Sequence, residues 1–168
     1  MVSINPEEYI RKRQENSKQL ASLRQMDDIF AAVTYRMKTT QNFSQKENPI
    51  LKMLQKTVNA FSNDSAIRKI PKLRFKLCSS VSHILLQRRD YVSLEEYLLK
   101  TYNQFKREGL FTKDTHDAKL QMLSNFVSAL FKNGKIETSL NYAEELKEAM
   151  KEYNNLLYDK YLFFYYNS

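Results

Sequence analysis

The sequence predicts an all-α chain in which antiparallel helical hairpins stack into a solenoid. Three observations predict it. Glycine and proline are scarce, two and three in 168 residues, too few for a strand-and-turn architecture. Apolar residues recur three or four apart over most of the chain, which is the helical period. The stretch Leu120–Met150 reads as two amphipathic helices hinged at Asn133-Gly134, and it repeats the apolar pattern of Leu77–Phe105 about forty-five residues upstream. A lone hairpin leaves an apolar face uncovered, so neighbouring copies must stack.

The elements follow in order. Asn5-Pro6-Glu7-Glu8 opens the first helix: Asn5 caps free amides, Pro6 suits the first helical position, and the acids favour the positive end of the dipole. Residues 10–20 are almost all polar, so this part projects or forms an edge. Leu23, Met26, Phe30, Val33 and Met37 then form a stripe, with Ile29 beside it, long enough for core packing and too short for a coiled coil. Thr39–Glu47 is a polar connection. Asn48-Pro49 repeats the cap-plus-proline start, and Ile50, Leu51, Leu54, Val58 and Phe61 form the buried face of a second helix. Ser62–Ser65 breaks it. A third helix begins near Ala66 or Pro71 and runs to Arg89 on a stripe of Leu73, Leu77, Val81, Ile84 and Leu85. Ser93 and Glu96 fit a capping box for a fourth helix, which Gly109 closes in a left-handed conformation. Thr112 or Thr115 caps the fifth helix, which ends at Asn133-Gly134. Its partner runs from Ile136 to about Asn154-Asn155, and a final helix starts at Leu156.

At a shift of forty-five residues Leu77 meets Met122, Val81 meets Phe126, Leu85 meets Leu130, Tyr91 meets Ile136, Tyr97 meets Tyr142 and Phe105 meets Met150. The register survives a turn. In NGKIETSLNYAEEL, Gly134 holds the turn, Ile136 an apolar slot after it and Ser139 a small slot; Ala143 and Leu146 continue the buried face. This pattern resembles the tetratricopeptide repeat, a family that favours an apolar residue after the turn and small residues where its helices cross. The upstream copy, RRDYVSLEEYLL, keeps Tyr91 but puts Leu94 in the small slot. Ser82 preserves the small residue of the first helix, and Val127 replaces it downstream. Both copies lack the closing proline, and the period exceeds the usual length of about 34 residues. The resemblance covers residues 77–153. It implies a right-handed, tetratricopeptide-like solenoid over residues 63–168, with residues 1–62 as an N-terminal helical segment packing on the array.

The aromatic run Leu156–Tyr166 is too apolar to sit bare in water. It reads as the first helix of another hairpin whose partner helix is absent. The expectation is therefore a piece of a longer repeat protein, or a helix that packs on a second chain and supports self-association.

Composition bounds the function. The charged fraction of 27% and the hydrophobic fraction of 42% suit a folded domain. No apolar run approaches the roughly 20 residues that span a bilayer, so no membrane role is expected, and the opening residues lack a secretory pattern. The lone Cys78 cannot form an internal disulfide, which suits a reducing, cytoplasmic setting. The net charge of +8 is uneven: +4 over residues 1–62, +5 over 63–90 and −2 over 134–168. A basic half attracts nucleic acid or an acidic partner, or is simply a solvated face.

No residue set carries chemistry, so neither an enzyme nor a cofactor is expected. His83 and His116 stand far apart without a cysteine pair, which leaves no metal site. Cys78, on or beside an apolar face, reads as a buried structural thiol. Asp114 with Asp117, and Glu144 with Glu148, read as capping and solvated acids. The expected function is a non-enzymatic scaffold for a protein or peptide ligand. The family resemblance implies a concave surface lined by the first helix of each hairpin. By register that surface takes Lys76, Ser79, His83 and Gln87 from one copy, and Gln121, Ser124, Ser128 and Lys132 from the other. The alternative is a nucleic-acid-associated scaffold using Lys69, Lys72 and Lys76 on one helical face, with Arg68 nearby.

Overall fold

The computed structural model describes residues 5–39 and 49–166. Among them all regular structure is helical and no strand occurs. They fall into two compact units, Met1–Leu77 and Cys78–Ser168.

The first unit contains α1 (Pro6–Thr39), α2 (Pro49–Asn63), the short α3 (Ser65–Arg68) and the start of α4 (Pro71–Gln87). Asn5 opens α1 as a cap, its side-chain oxygen accepting from the Glu7 amide at 3.1 Å. Every residue from Pro6 to Lys18 is exposed, as their polarity requires. Burial begins where the apolar spacing tightens, at Met26 and Phe30. Phe30 stacks on Phe61 of α2 with ring centroids 6.3 Å apart. Leu54 and Phe61 are buried as the α2 stripe predicts, and Val58 is half-buried. Ile67 and Phe75 are buried as well, outside the predicted stripes. The polar break at Ser62–Ser65 lies inside this unit, between α2 and α3. The connection expected over Thr39–Glu47 and the Asn48 cap lie almost wholly outside the described residues, as do the side chains of Val33, Met37, Ile50 and Leu51.

The second unit takes the rest of α4, then α5 (Tyr91–Arg107), a 3-10 turn (Lys113–Thr115), α6 (His116–Lys132), α7 (Ile136–Met150), the single turn α8 (Glu152–Asn155) and α9 (Tyr158–Tyr166). α6 packs along α7 as an antiparallel hairpin and against α5 on another side, while α9 lies on α7 and α6. Leu94, Leu98, Leu120, Leu123, Phe126 and Leu146 form the centre of the core.

Two helix pairs share their boundaries at a spacing of forty-five residues. α4 and α6 span 71–87 and 116–132, and α5 and α7 begin at 91 and 136. The turns match bond for bond. Asp90 N–H donates to the Leu85 carbonyl at 3.0 Å and Arg89 N–H to Leu86 at 3.0 Å; Lys135 N–H donates to Leu130 at 2.9 Å and Gly134 N–H to Phe131 at 3.0 Å. This pair of bonds closes a helix around one left-handed residue. That residue is Gly134 (φ 77) in the second turn and Arg89 (φ 55) in the first. Gly109 (φ 66) closes α5 in the same way.

The start of α5 and the end of α7 differ from the sequence reading. α5 starts at Tyr91 with Asp90 as its cap, not at the Ser93 capping box. The Asp90 carboxylate accepts from the Ser93 amide at 3.1 Å and from its hydroxyl at 2.9 Å, so Ser93 serves the cap from inside the helix. Thr112 stands at the N-cap of the 3-10 turn and Thr115 at the N-cap of α6, which begins at His116, in keeping with the sequence reading. α7 stops at Met150 rather than near Asn154, because Tyr153, Asn154 and Asn155 are all left-handed (φ 54, 57 and 58).

Candidate interaction groove

The polar face of α6 is set by its own periodicity. Gln121, Ser124, Asn125, Ser128 and Lys132 fall three or four apart and share one side. The opposite side carries Leu120, Leu123, Phe126, Val127 and Leu130, all buried, and fixes the helix's rotation. Gln121 and Lys132 are exposed, Asn125 and Ser128 are half-buried, and Ser124 is 8% exposed.

Where this face meets α9, a notch of about 150 Å³ opens, lined by Gln121, Ser124, Asn125, Lys160 and Tyr161. Two of these are residues that the register assigns to a groove. Asn125, Lys160 and Tyr161 were not singled out from sequence. Asn125 had a usable signal, since it lies four residues beyond Gln121 on the same face. The notch offers two carboxamides and a hydroxyl, which can both donate and accept hydrogen bonds, as a peptide backbone requires.

α9 is held there by ionic and hydrogen-bonded contacts. Tyr161 is buried, and its hydroxyl donates to Asp117 Oδ1 at 2.6 Å. Lys160 Nζ donates to the same carboxylate oxygen at 2.8 Å. Burial would raise the Asp117 carboxyl, but the bonds from Lys160 and Tyr161 outweigh it and hold the group below its ordinary range. Burial and the neighbouring Asp117 push the Tyr161 phenol up. Two residues along α6, Lys119 Nζ meets Glu152 at 2.9 Å.

The turn between α6 and α7 is tied back to α5. Asn133 Nδ2 donates to the Tyr91 carbonyl at 2.9 Å and to Glu95 at 2.7 Å, and Lys135 also pairs with Glu95. Burial would raise the Glu95 carboxyl, but Lys135 and Asn133 keep it below its usual value. Tyr102 of α5 donates to Glu145 of α7 at 2.7 Å. At the crossing of α6 and α7, the Ser139 hydroxyl donates to the Val127 carbonyl at 3.0 Å.

The other predicted groove residues lie on α4. Ser79, His83 and Gln87 are exposed, and His83 Nε2 and Gln87 Nε2 are 2.9 Å apart. Lys76 belongs to the first unit, where its ammonium pairs with Asp27 at 3.0 Å. The basic residues Arg68, Lys69 and Lys72 are exposed.

Cys78 is 2% exposed, and burial pushes its thiol up to about 12, against smaller opposing effects of Ser82 and Tyr97. His116 is 1% exposed at the start of α6. Among the described residues no three His, Cys, Asp or Glu side chains cluster as metal ligands, and no helix is long and apolar enough to cross a membrane. No protein-family model, curated protein or solved structure matches the chain.

Proposed function

We propose that this chain is a non-enzymatic interaction scaffold, a right-handed tetratricopeptide-like solenoid that holds a peptide or helix along the polar face of α6. The observation that carries this reading is the notch between α6 and α9, lined by Gln121, Ser124, Asn125, Lys160 and Tyr161. It sets the Gln121 and Asn125 carboxamides and the Ser124 hydroxyl on a helix whose other face is buried and apolar, the usual make-up of a peptide site. The helix boundaries and turn bonds matched forty-five residues apart support the repeat reading, and α9 fits the position of the first helix of a further hairpin. The groove runs on through Ser128 to Lys132. The unpaired Cys78 fits a cytoplasmic setting.

The test is a selection of peptides from a displayed library against the folded chain. Peptides recovered on this account lose at least tenfold in affinity on the double variant Gln121→Arg, Lys132→Glu. Both positions are exposed, so the helical circular-dichroism signal and melting temperature stay unchanged. Equal affinity for the parent and the variant rules out the α6 face.

A second reading rests on the exposed Arg68, Lys69 and Lys72, which suit phosphate contacts. The Lys76 end of that stripe is already engaged by Asp27. RNA or heparin binding that falls steeply with salt and disappears on Lys69→Glu, Lys72→Glu favours this reading over the groove.

A further inference from the structure

We propose that the first turn of α6 is a pH-sensitive latch on the C-terminal segment, closed while His116 is neutral and released when its buried ring takes a proton. This does not depend on what the groove holds.

His116 is almost fully enclosed, and neither ring nitrogen makes a hydrogen bond. The edge of Tyr153 closes over it, with ring centroids 4.9 Å apart at 77°. Its charged surroundings are Asp117 and Lys119 on α6 and Glu152 on α8; burial and Lys119 disfavour the protonated ring, while Glu152, Asp117 and the Ala149 backbone on α7 favour it. Both acids are already engaged: Asp117 accepts from Lys160 and Tyr161, and Glu152 accepts from Lys119. Lys119 and the positive end of the α6 dipole oppose a second cation at this place. Enclosure of the ring outweighs the attractions of Glu152 and Asp117, so the protonated form is disfavoured in the closed state and is relieved where the ring reaches water. Burial, the largest influence, lowers the affinity of His116 for a proton.

The turn over the ring has a strained backbone. Tyr153, Asn154 and Asn155 all sit at positive φ, which a tyrosine adopts unwillingly. The remaining ties of the segment, Lys119–Glu152 and Lys160–Tyr161 with Asp117, all end on the same turn of α6. Loss of His116 packing therefore loosens the neighbourhood on which they depend.

The sign follows from linkage. The ring is harder to protonate in the closed state than in the open one. Closure is at full strength above the ordinary histidine value of 6.5 and weakens as pH falls below it. With an open-state value near 6.5, moving from pH 7.5 to 5.5 favours opening by up to about tenfold. Asp117 titrates below this window, since its carboxyl is held under 3.8.

Hydrogen exchange measured by mass spectrometry on the full chain tests the latch. After correction for intrinsic rates, protection of residues 156–166 should fall by about five- to tenfold between pH 7.5 and 5.5, while protection of 120–130 stays constant. His116→Gln and His116→Phe should both abolish this pH dependence. Asp117→Asn should lower protection at both pH values and leave the ratio intact. If the histidine variants fold poorly, ring-proton NMR of the parent chain decides: His116 should titrate below the ordinary histidine value of 6.5. Constant protection across the range, a His116 that titrates at or above 6.5, or the same pH dependence in the histidine variants would overturn the proposal.

Discussion

Exchanging the sizes of two residues at the α6–α7 crossing tests whether the two hairpins share one design. Ser139 is 5% exposed and Val127 is 1% exposed, and the Ser139 hydroxyl donates to the Val127 carbonyl. Forty-five residues upstream the sizes are reversed, with Ser82 on α4 and Leu94 on α5, both buried. Ser139→Leu adds three carbons to a filled site, which costs about 1–3 kcal/mol by overpacking, and loses a hydrogen bond worth about 1 kcal/mol. Val127→Ser removes apolar volume and costs about 2 kcal/mol. Independent effects would sum to about 5 kcal/mol, within reach of the whole stability of a small domain. The double variant recreates the upstream pairing, so it should lose only about 2 kcal/mol. Urea unfolding followed by circular dichroism gives all four free energies and a coupling of about 2–3 kcal/mol. A coupling below about 0.5 kcal/mol would show that the two crossings are unrelated.

Further outcomes follow from the same geometry. Arg89→Gly should stabilise the chain by about 0.5–1 kcal/mol, because relief of a left-handed arginine exceeds the entropy glycine adds to the unfolded chain; a lower melting temperature contradicts this. Gly134→Ala should destabilise by about 1 kcal/mol from backbone conformation alone, since a Cβ there meets nothing within 4 Å; no change in urea midpoint argues against the left-handed turn. Tyr161→Phe removes the bond to Asp117 and should loosen α9 by about 1 kcal/mol, seen as faster exchange over residues 156–166 with the α6–α7 hairpin unaffected. With its thiol raised to about 12 and buried, Cys78 should resist alkylation at pH 8 in the native chain and react promptly in urea; rapid native labelling would show the α4 core to be open.

How far the sequence reveals this fold can be traced residue by residue. The hinge at Asn133-Gly134 was legible because glycine marks a left-handed position. Its twin at Arg89 carries no such mark, and only the shared register points to it. Asp90 lost to Ser93 as predicted cap because Ser-x-x-Glu is the stronger local pattern, although both side chains serve the same helix end. Ile67 escaped notice because it sits in a four-residue helix, too short for periodicity to register. Tyr153–Asn155 read as helix because nothing local forces a tyrosine into a left-handed turn. The face of α6 was legible from spacing alone, whereas the notch needs α9, and no local pattern says where an aromatic helix will dock. His116 illustrates the same limit, since a histidine at a helix start reads as solvated until a distant tyrosine covers it.

The most direct test of the scaffold reading is backbone-amide NMR mapping of the chain titrated with a peptide selected against it. Shift changes should concentrate on Gln121, Asn125, Ser128, Lys132 and Lys160. Changes centred on Arg68, Lys69 and Lys72, or spread evenly over the helices, would contradict the account.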